Sequence, residues 1–258
     1  MPPSPPAKPL SIVAVGAHLD DYWYGMGGTL LKAARKGHKV TLIQAVSKYC
    51  AWPVVNGREA EIKPHLAELS AATGIKLVTL GHDYLRLENR PELIGQLAAA
   101  IADAEADLLF CPWEEDANQD HVAVGASARI AGIHGACYLP PDRKLKLPEQ
   151  ILQYPLDPSS RSFRPDAFID TGEVVFDLMG LSSVFDKIYS KHALWPDALR
   201  RLTVTDHVNQ DRTATLTEQN EYMFALALVR GLQCGARFAD GFAAYRQAPA
   251  DRNLLAQI

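Results

Sequence analysis

The first half of the chain alternates short apolar runs with longer helix-forming segments, and this alternation constrains the fold more than any other feature. The run Ser11–Ala17 is rich in β-branched and small residues, which is typical of a buried parallel strand. The predicted strands are Ser11–Ala17, Lys39–Val46, Lys76–Leu80 and Asp107–Cys111. The predicted helices are Gly28–Arg35, Glu59–Ala72 (broken or offset near Pro64), Pro91–Ala104 and His121–Ala131. Strands separated by helices imply right-handed crossovers and a mostly parallel sheet.

The second half changes character. Periodicity is weak from about Pro140 to Ser162, and two extended segments, two helices and little else are predicted: Gln150–Tyr154, Ala167–Thr171, Leu178–Lys191 and Glu218–Leu232. We interpret the chain as one domain over residues 1–258 with a Rossmann-like, three-layer α/β/α fold. Residues 1–10, five of them proline, form an extended leader, and residues from about 140 to 258 supply a small C-terminal cap region.

The charge balance excludes partner classes more than it names any. The 258 residues carry 26 Lys+Arg against 30 Asp+Glu, a formal net charge of −4, so the basic footprint of a nucleic-acid or membrane-surface binder is missing. No apolar run approaches the roughly 18 residues of a membrane helix, and the proline-rich start cannot form a signal peptide. We therefore expect a cytoplasmic protein with a small-molecule partner. The sequence does not indicate the oligomeric state, although α/β domains of this size are often homo-oligomers.

Polar residues follow two of the predicted strands, where open parallel sheets bind their ligands. His18, Asp20 and Asp21 follow the first strand, and His121 closes an acidic loop after the fourth. His18, Asp21 and His121 would offer two nitrogens and one oxygen to a divalent cation, a set used by catalytic zinc and by non-haem Fe(II). Asp20 would then be free to take a proton. The alternatives are a helix cap for the two aspartates and a surface or capping role for His121.

Three segments resemble a known family. His18-Leu19-Asp20-Asp21 with Gly25-Met26-Gly27-Gly28-Thr29-Leu30 resembles the opening H-P-D-D-E and G-x-G-G-T-L signature of the LmbE/PIG-L zinc-dependent de-N-acetylases. Residues 116–121 (DANQDH) are similar to the D-x-H-x-D-H motif of that family, and residues 238–242 (FADGF) to its Y-A-E-x-F. Order and spacing agree from about Leu10 to Arg246.

The resemblance implies a reaction and a set of roles. Enzymes of this family remove an acetyl or related acyl group from the amide nitrogen of an amino sugar or a similar amide. His18, Asp21 and His121 match the ligands of one zinc ion, although a His₂Asp set also accepts other divalent metals. Asp20 matches the general base, and Asp120 matches a carboxylate that orients a ligand.

Departures from the family pattern affect the proton donor. Leu19 replaces a proline and Tyr22 a glutamate, both outside the proposed metal set. Asn118 replaces the motif histidine; it can donate a hydrogen bond to an oxyanion but cannot supply a proton at pH 7. Either Asp20 returns the proton it took, or another histidine delivers it. By residue type the candidates are His65, His82 and His192, of which the segment Tyr189-Ser190-Lys191-His192 favours His192.

Substrate contacts are predicted at Arg58, Asp83 and Trp113. Arg58, or alternatively Lys63, would supply the helix arginine that pairs with the base in this family, and Asp83 resembles a substrate-side aspartate. Trp113, with Tyr22, Trp23 and Tyr24, could stack on a sugar ring or simply close the core.

Three functions remain open on the sequence. The first is a zinc-dependent N-deacylase acting on an amino sugar or its conjugate. The second is hydrolysis of a non-sugar amide by the same metal centre, suggested by Tyr22 and Asn118. The third is a sugar-binding relative without catalysis, suggested by Asn118 alone.

Overall fold

A computed structural model of the chain describes residues 8–156, 162–189, 202–206, 212–246 and 254–258. The strands are β1 (Ser11–Gly16), β2 (Lys39–Lys48), β3 (Lys76–Asp83), β4 (Leu108–Pro112), β5 (Gln150–Tyr154), β6 (Ala167–Asp170), β7 (Leu202–Thr205), β8 (Thr213–Leu216) and β9 (Ala239–Arg246). The helices are α1 (Asp21–Arg35), α2 (Glu59–Thr73), α3 (Pro91–Ala104), α4 (Gln119–His134), α5 (Val175–Tyr189) and α6 (Glu218–Cys234).

Seven strands form one sheet in the order β3-β2-β1-β4-β5-β9-β6, flanked by helices. The first five pair in parallel, and β9 runs antiparallel to both β5 and β6. The predicted α/β fold with a mostly parallel sheet is thereby confirmed. Five of the six residues of β1 are buried, as the apolar run predicts for a strand covered on both faces. No helix of the described residues has the length and apolar character needed to cross a bilayer.

The sequence did not predict β7, β8 or β9. The first two form a separate antiparallel pair, and β9 lies between β5 and β6 in the main sheet. Ala239–Arg246 is composed largely of small and charged residues, so its strand state depends on partners far along the chain.

Helices α1 and α2 differ most from their predictions. Helix α2 runs without interruption through Pro64, contrary to the predicted break. Pro64 and Ala60 are both exposed, so water can satisfy the Ala60 carbonyl that proline leaves without a donor. Helix α1 starts at Asp21, seven residues before the predicted Gly28, and has a kink at Met26, where φ is −158°.

The glycines around that kink allow close packing. A Cβ on Gly25 would lie 2.3 Å from the Tyr154 ring, and one on Gly28 would lie 2.6 Å from the Thr171 side chain. The run Gly25-Met26-Gly27-Gly28 therefore brings α1 against β5 and against the end of β6, and this packing accounts for the glycines structurally.

Asp240 completes the hydrogen bonding of α1 beyond the kink. Its Oδ2 accepts hydrogen bonds from the Thr29 backbone nitrogen at 2.6 Å and from Thr29 Oγ1 at 2.8 Å. Helix N–H groups just after a break have no partner within the helix, so this carboxylate takes the place of an N-cap. Burial raises the pKa of Asp240 to about 6, against the hydrogen bonds from Thr29.

We expect Asp240→Ala to lower the free energy of unfolding by about 2 kcal/mol at pH 7.5, because it leaves the buried Thr29 donors without an acceptor. Asp240→Asn keeps an oxygen at the same place and should lose much less. Urea unfolding of the three proteins measures the difference. Equal losses for the alanine and asparagine variants would show that these hydrogen bonds do not stabilise α1.

Candidate metal centre

Strands β1 and β4 are neighbours, and their carboxyl ends bring together the two loops in which the sequence places its polar residues. The sheet order reverses at this pair, because the chain proceeds from β1 to β2 and β3 on one side and returns to β4 on the other. Such a switch point is where open α/β sheets bind ligands. His18 and Asp21 lie at the end of β1, and His121 lies in the first turn of α4.

Three donor atoms converge at this point. His18 Nδ1 lies 3.1 Å from His121 Nε2, His18 Nδ1 lies 3.4 Å from Asp21 Oδ1, and His121 Nε2 lies 3.3 Å from Asp21 Oδ1. Zinc–nitrogen and zinc–oxygen bonds of about 2.0–2.1 Å at tetrahedral angles place ligand atoms about 3.3 Å apart. The triangle therefore has the size and the donor chemistry of three ligands of one zinc ion.

Backbone groups orient Asp21 toward the triangle. Its Oδ2 accepts hydrogen bonds from the backbone nitrogens of Ala17, at 2.6 Å, and of His18, at 2.9 Å. Both N–H groups belong to the turn that ends β1, so the strand end itself fixes the carboxylate. The other oxygen, Oδ1, is the one directed at the two histidines.

Asp120 orients His18. This fully buried carboxylate lies 3.1 Å from His18 Nε2 and also accepts hydrogen bonds from the backbone nitrogens of Leu85 and Leu87. A proton on Nε2 that is shared with Asp120 leaves the lone pair of Nδ1 for a cation. The Tyr84 ring packs against the same imidazole with centroids 5.0 Å apart, which restricts its rotation.

Asp116 is placed in the same way beside His121. Its Oδ1 lies 3.0 Å from His121 Nδ1, although the contact falls outside the angular range of a hydrogen bond. The same oxygen accepts a hydrogen bond from the Asn118 backbone nitrogen, which fixes the loop before α4. Asp116 is the first aspartate of the D-x-H-x-D-H-like segment, but the sequence alone indicates no individual role for it.

The carboxylates control the charge of the centre. Burial alone lowers the pKa of His18, but the negative charge of Asp21 and the hydrogen bonds that His18 donates to Asp120 and Asp21 outweigh it and raise that pKa to about 9. The pKa of His121 is raised in the same way, to about 10, because the effects of Asp21 and Asp116 outweigh that of burial. For Asp21 burial opposes ionisation, yet the two imidazoles hold its pKa well below the ordinary value. A field that favours protons on both imidazoles equally favours a metal cation in their place.

Asp20 is held next to this centre by a residue that the sequence analysis missed. The Tyr189 hydroxyl, at the end of α5, donates a hydrogen bond of 2.9 Å to Asp20 Oδ2. Burial, together with the charge of Asp21, raises the pKa of Asp20 to about 6, against the lowering effect of His18 and of the Tyr189 hydrogen bond. A carboxylate with that pKa is well matched to proton transfer near neutral pH.

The residues predicted to donate a proton or to stabilise an oxyanion lie in different surroundings. Asn118 is the N-cap of α4, and its Oδ1 accepts a hydrogen bond from the Asp120 backbone nitrogen at 2.9 Å. His192 lies outside the described residues. His82 contacts Gln96 and His65 lies near Glu68, so neither is seen against the three converging donors.

The predicted substrate contacts lie near the site without touching its donors. Arg58 binds Glu61 through two nitrogens and donates to the backbone oxygens of Val54 and Ile188, so it is not paired with Asp20. Its position before the first turn of α2 places it against the end of α5. Asp83, at the end of β3, lies beside Cys50. Trp113 donates to Ser162 and packs edge-on against Phe163.

An aromatic wall lines one side of the centre, formed by Tyr49, Trp52, Tyr84 and Tyr189. Trp52 stacks on Tyr84 with centroids 5.4 Å apart, and lies at the same distance from Tyr189. The wall thus links the ring beside His18 to the hydroxyl beside Asp20. By contrast, Tyr22 and Trp23 are almost fully buried, which favours the core-closing alternative for both.

A comparison with protein-family models matches residues 13–131 to PIG-L, GlcNAc-PI de-N-acetylase. This segment contains β1, α1, β4 and the first turns of α4, and hence all three converging donors and Asp20. Over this segment the chain is similar to the PIG-L family. The family resemblance inferred from the sequence is confirmed over this segment, which contains the first two of the three motif-like segments.

Solved structures share the fold of this protein at low sequence identity. N,N'-diacetylchitobiose deacetylase from Pyrococcus horikoshii is 17% identical, with 93% of this chain and 86% of that chain covered and a TM-score of 0.67. A conserved protein from Thermus thermophilus is 20% identical, with 92% and 94% covered and a TM-score of 0.69. The 4-carboxy-2-hydroxymuconate hydratase from Pseudomonas putida is 17% identical, with 95% and 99% covered and a TM-score of 0.70.

Proposed function

We propose that this protein is a metal-dependent hydrolase that removes an acetyl or other acyl group from the amide nitrogen of an amino sugar or sugar conjugate. The convergence of His18, Asp21 and His121 beside Asp20 carries the proposal, because it joins a cation site to a proton acceptor. The family match supports an amide substrate, and the chitobiose deacetylase supports a sugar. One zinc ion is the preferred cofactor. Its presence would supply Lewis-acid chemistry, lowering the pKa of a water molecule and polarising the amide carbonyl.

The chain's own residues move the proton. With Oδ2 held by Tyr189, the other oxygen of Asp20 accepts a proton from the attacking water, whose oxygen bonds to the amide carbon. When the carbon–nitrogen bond breaks, Asp20 returns the same proton to the amine nitrogen. The products are a carboxylic acid and a free amine, with no further proton donor required. Asn118 can assist only as a hydrogen-bond donor, and His192 stays the alternative proton donor proposed from the sequence.

Release of amine and acetate tests this function. The purified, zinc-loaded protein is offered N-acetylglucosamine, a lipid- or aryl-linked N-acetylglucosamine conjugate, and N-cyclohexylacetamide, which keeps the ring and the amide but has no hydroxyl groups. We expect turnover of at least one sugar amide and much slower turnover of the cyclohexyl compound. Hydrolysis of the cyclohexyl compound alone would favour a non-sugar amide, and bound metal without any turnover would favour a non-catalytic relative.

The fold alone does not decide the reaction, because a hydratase and a deacetylase share it. Both reactions need an activated water, and the bond that this water attacks depends on what the pocket holds against it. In this chain the aromatic wall, with Trp52 and Tyr84 partly exposed, is the surface available for that purpose. An aromatic face of this kind packs well against the apolar face of a sugar ring.

Replacing Tyr189 with phenylalanine should lower kcat about tenfold and shift the acid limb of the pH profile upward. The hydroxyl both orients Asp20 and lowers its pKa, so its loss leaves Asp20 with a pKa above about 6 and protonated over a wider range. Profiles of kcat/KM between pH 5 and 8 measure the shift.

Tyr138→Phe is the matched control, since Tyr138 is an exposed tyrosine after α4, at the end of the sheet opposite to the carboxyl ends of the parallel strands. A merely structural role for Tyr189 would lower kcat without moving the pH profile, and that result would contradict positioning through Asp20.

A further inference from the structure

A cavity of about 650 Å³ lies between α2 and the strands β2 and β3. Its lining contains none of the proposed metal ligands. The wall is mainly apolar, and its larger apolar side chains are Leu19, Val55, Ile62, Leu66, Ile75 and Leu77. The half-buried Glu59 and the exposed Lys63 and Lys76 also border it, so the charge exposed to solvent at its rim is positive. Helix α2 buries only Ile62 and Leu69, which leaves space between the helix and the sheet.

One polar side chain in this lining is buried and incompletely paired. Gln44 is only 2% exposed, and its Nε2 donates to the Val46 backbone oxygen at 2.5 Å and to the Tyr49 hydroxyl at 3.1 Å. A carbonyl oxygen can only accept, so the nitrogen must face Val46, and this fixes the orientation of the amide. The other atom, Oε1, is buried and has no hydrogen-bond partner among the described residues.

These two features define a ligand. Buried acceptors are nearly always hydrogen-bonded, because an unpaired one keeps the full cost of losing water. Apolar walls disfavour a charged molecule, and the volume falls within the range of small-molecule sites. We propose that this space, the Gln44 cavity, binds a small uncharged molecule with an apolar body and one O–H or N–H group that donates to Gln44 Oε1. The cavity shares Tyr49 with the aromatic wall, but the proposed binding does not require the proposed amide hydrolysis.

A matched pair of probes tests the donor requirement. 4-tert-Butylcyclohexanol and 4-tert-butylcyclohexanone have the same apolar body, but only the alcohol can donate a hydrogen bond. Each is titrated into the full chain and followed by methyl NMR of Leu19, Ile62 and Leu77, which report from within the cavity. We expect the alcohol to bind about fivefold more tightly than the ketone, as one neutral hydrogen bond predicts.

Two variants separate the acceptor from the space. Gln44→Met keeps the length of the side chain without the acceptor and should bring the alcohol down to the affinity of the ketone. Ser70→Phe places a ring into the lining at a half-buried position of α2 and should weaken both probes at least tenfold while leaving Gln44 intact. Ala71→Phe is its control, because Ala71 is exposed on the same helix and outside the lining.

Three outcomes would overturn the proposal: equal affinities for alcohol and ketone in the unaltered chain, unchanged binding in Ser70→Phe, or no binding of either probe. The last result would mean that Gln44 Oε1 is satisfied by water only. The first two comparisons need no substitution at Gln44, so they decide the matter even if Gln44→Met fails to fold.

Discussion

Replacing His121 with alanine is expected to lower zinc affinity by more than about 100-fold and to abolish hydrolysis. His121 Nε2 lies within 3.3 Å of both other donors, so its loss leaves a two-ligand site open to water. Asp120→Asn should lower affinity less, by about 10–100-fold, because it affects only the partner of His18 Nε2. Isothermal titration with zinc, together with metal analysis of the dialysed proteins, measures both changes.

Metal binding should also depend on pH in a definite direction. The pKa values of about 9 and 10 mean that both imidazoles carry an extra proton at pH 7.5 when no metal is bound. A cation must displace these protons, so affinity should fall as pH falls, by about tenfold per pH unit for each proton displaced.

The matched control for His121→Ala is His134→Ala, at an exposed histidine at the end of α4. Full zinc affinity in His121→Ala would mean that the converging donors do not hold the metal.

The sheet was predictable where the local pattern is strong and less so where pairing is distant. Apolar runs such as Ser11–Ala17 identify β1, because a strand covered on both faces must be continuously apolar. The start of α1 was not predicted, since Tyr22, Trp23 and the following glycines are weak helix formers. Its first turns depend on packing against β5, which no local signal reveals.

The residues of the candidate site were likewise predictable only where a local sequence signal marks them. His18, Asp21 and His121 could be singled out because each lies directly beside a strand end in the sequence, and the neighbouring pairing of β1 and β4 then brings them together. Tyr189 could not be assigned to Asp20, since the two are 169 positions apart. Its segment was noticed for His192, so the sequence pointed to the end of α5 but not to the hydroxyl.

Replacing Asp20 with asparagine should lower kcat by at least about 100-fold while zinc still binds. Asparagine keeps the shape of the side chain and can accept the Tyr189 hydrogen bond, but it cannot take a proton from water. General-base catalysis contributes about 10²–10⁴-fold to rate, and in this chain the same group is proposed to return the proton to the amine. Single-turnover rates and metal content, measured on the same preparation, separate the two effects.

The pH profile distinguishes the role of Asp20 further. With its pKa near 6, the unaltered enzyme should lose activity as pH falls through about 6. Asp142→Asn, an exposed site in the loop before β5 at the opposite edge of the sheet, should leave both rate and profile unchanged. If Asp20→Asn keeps the acid limb and most of the rate, then another group takes the proton, and His192 becomes the first residue to replace.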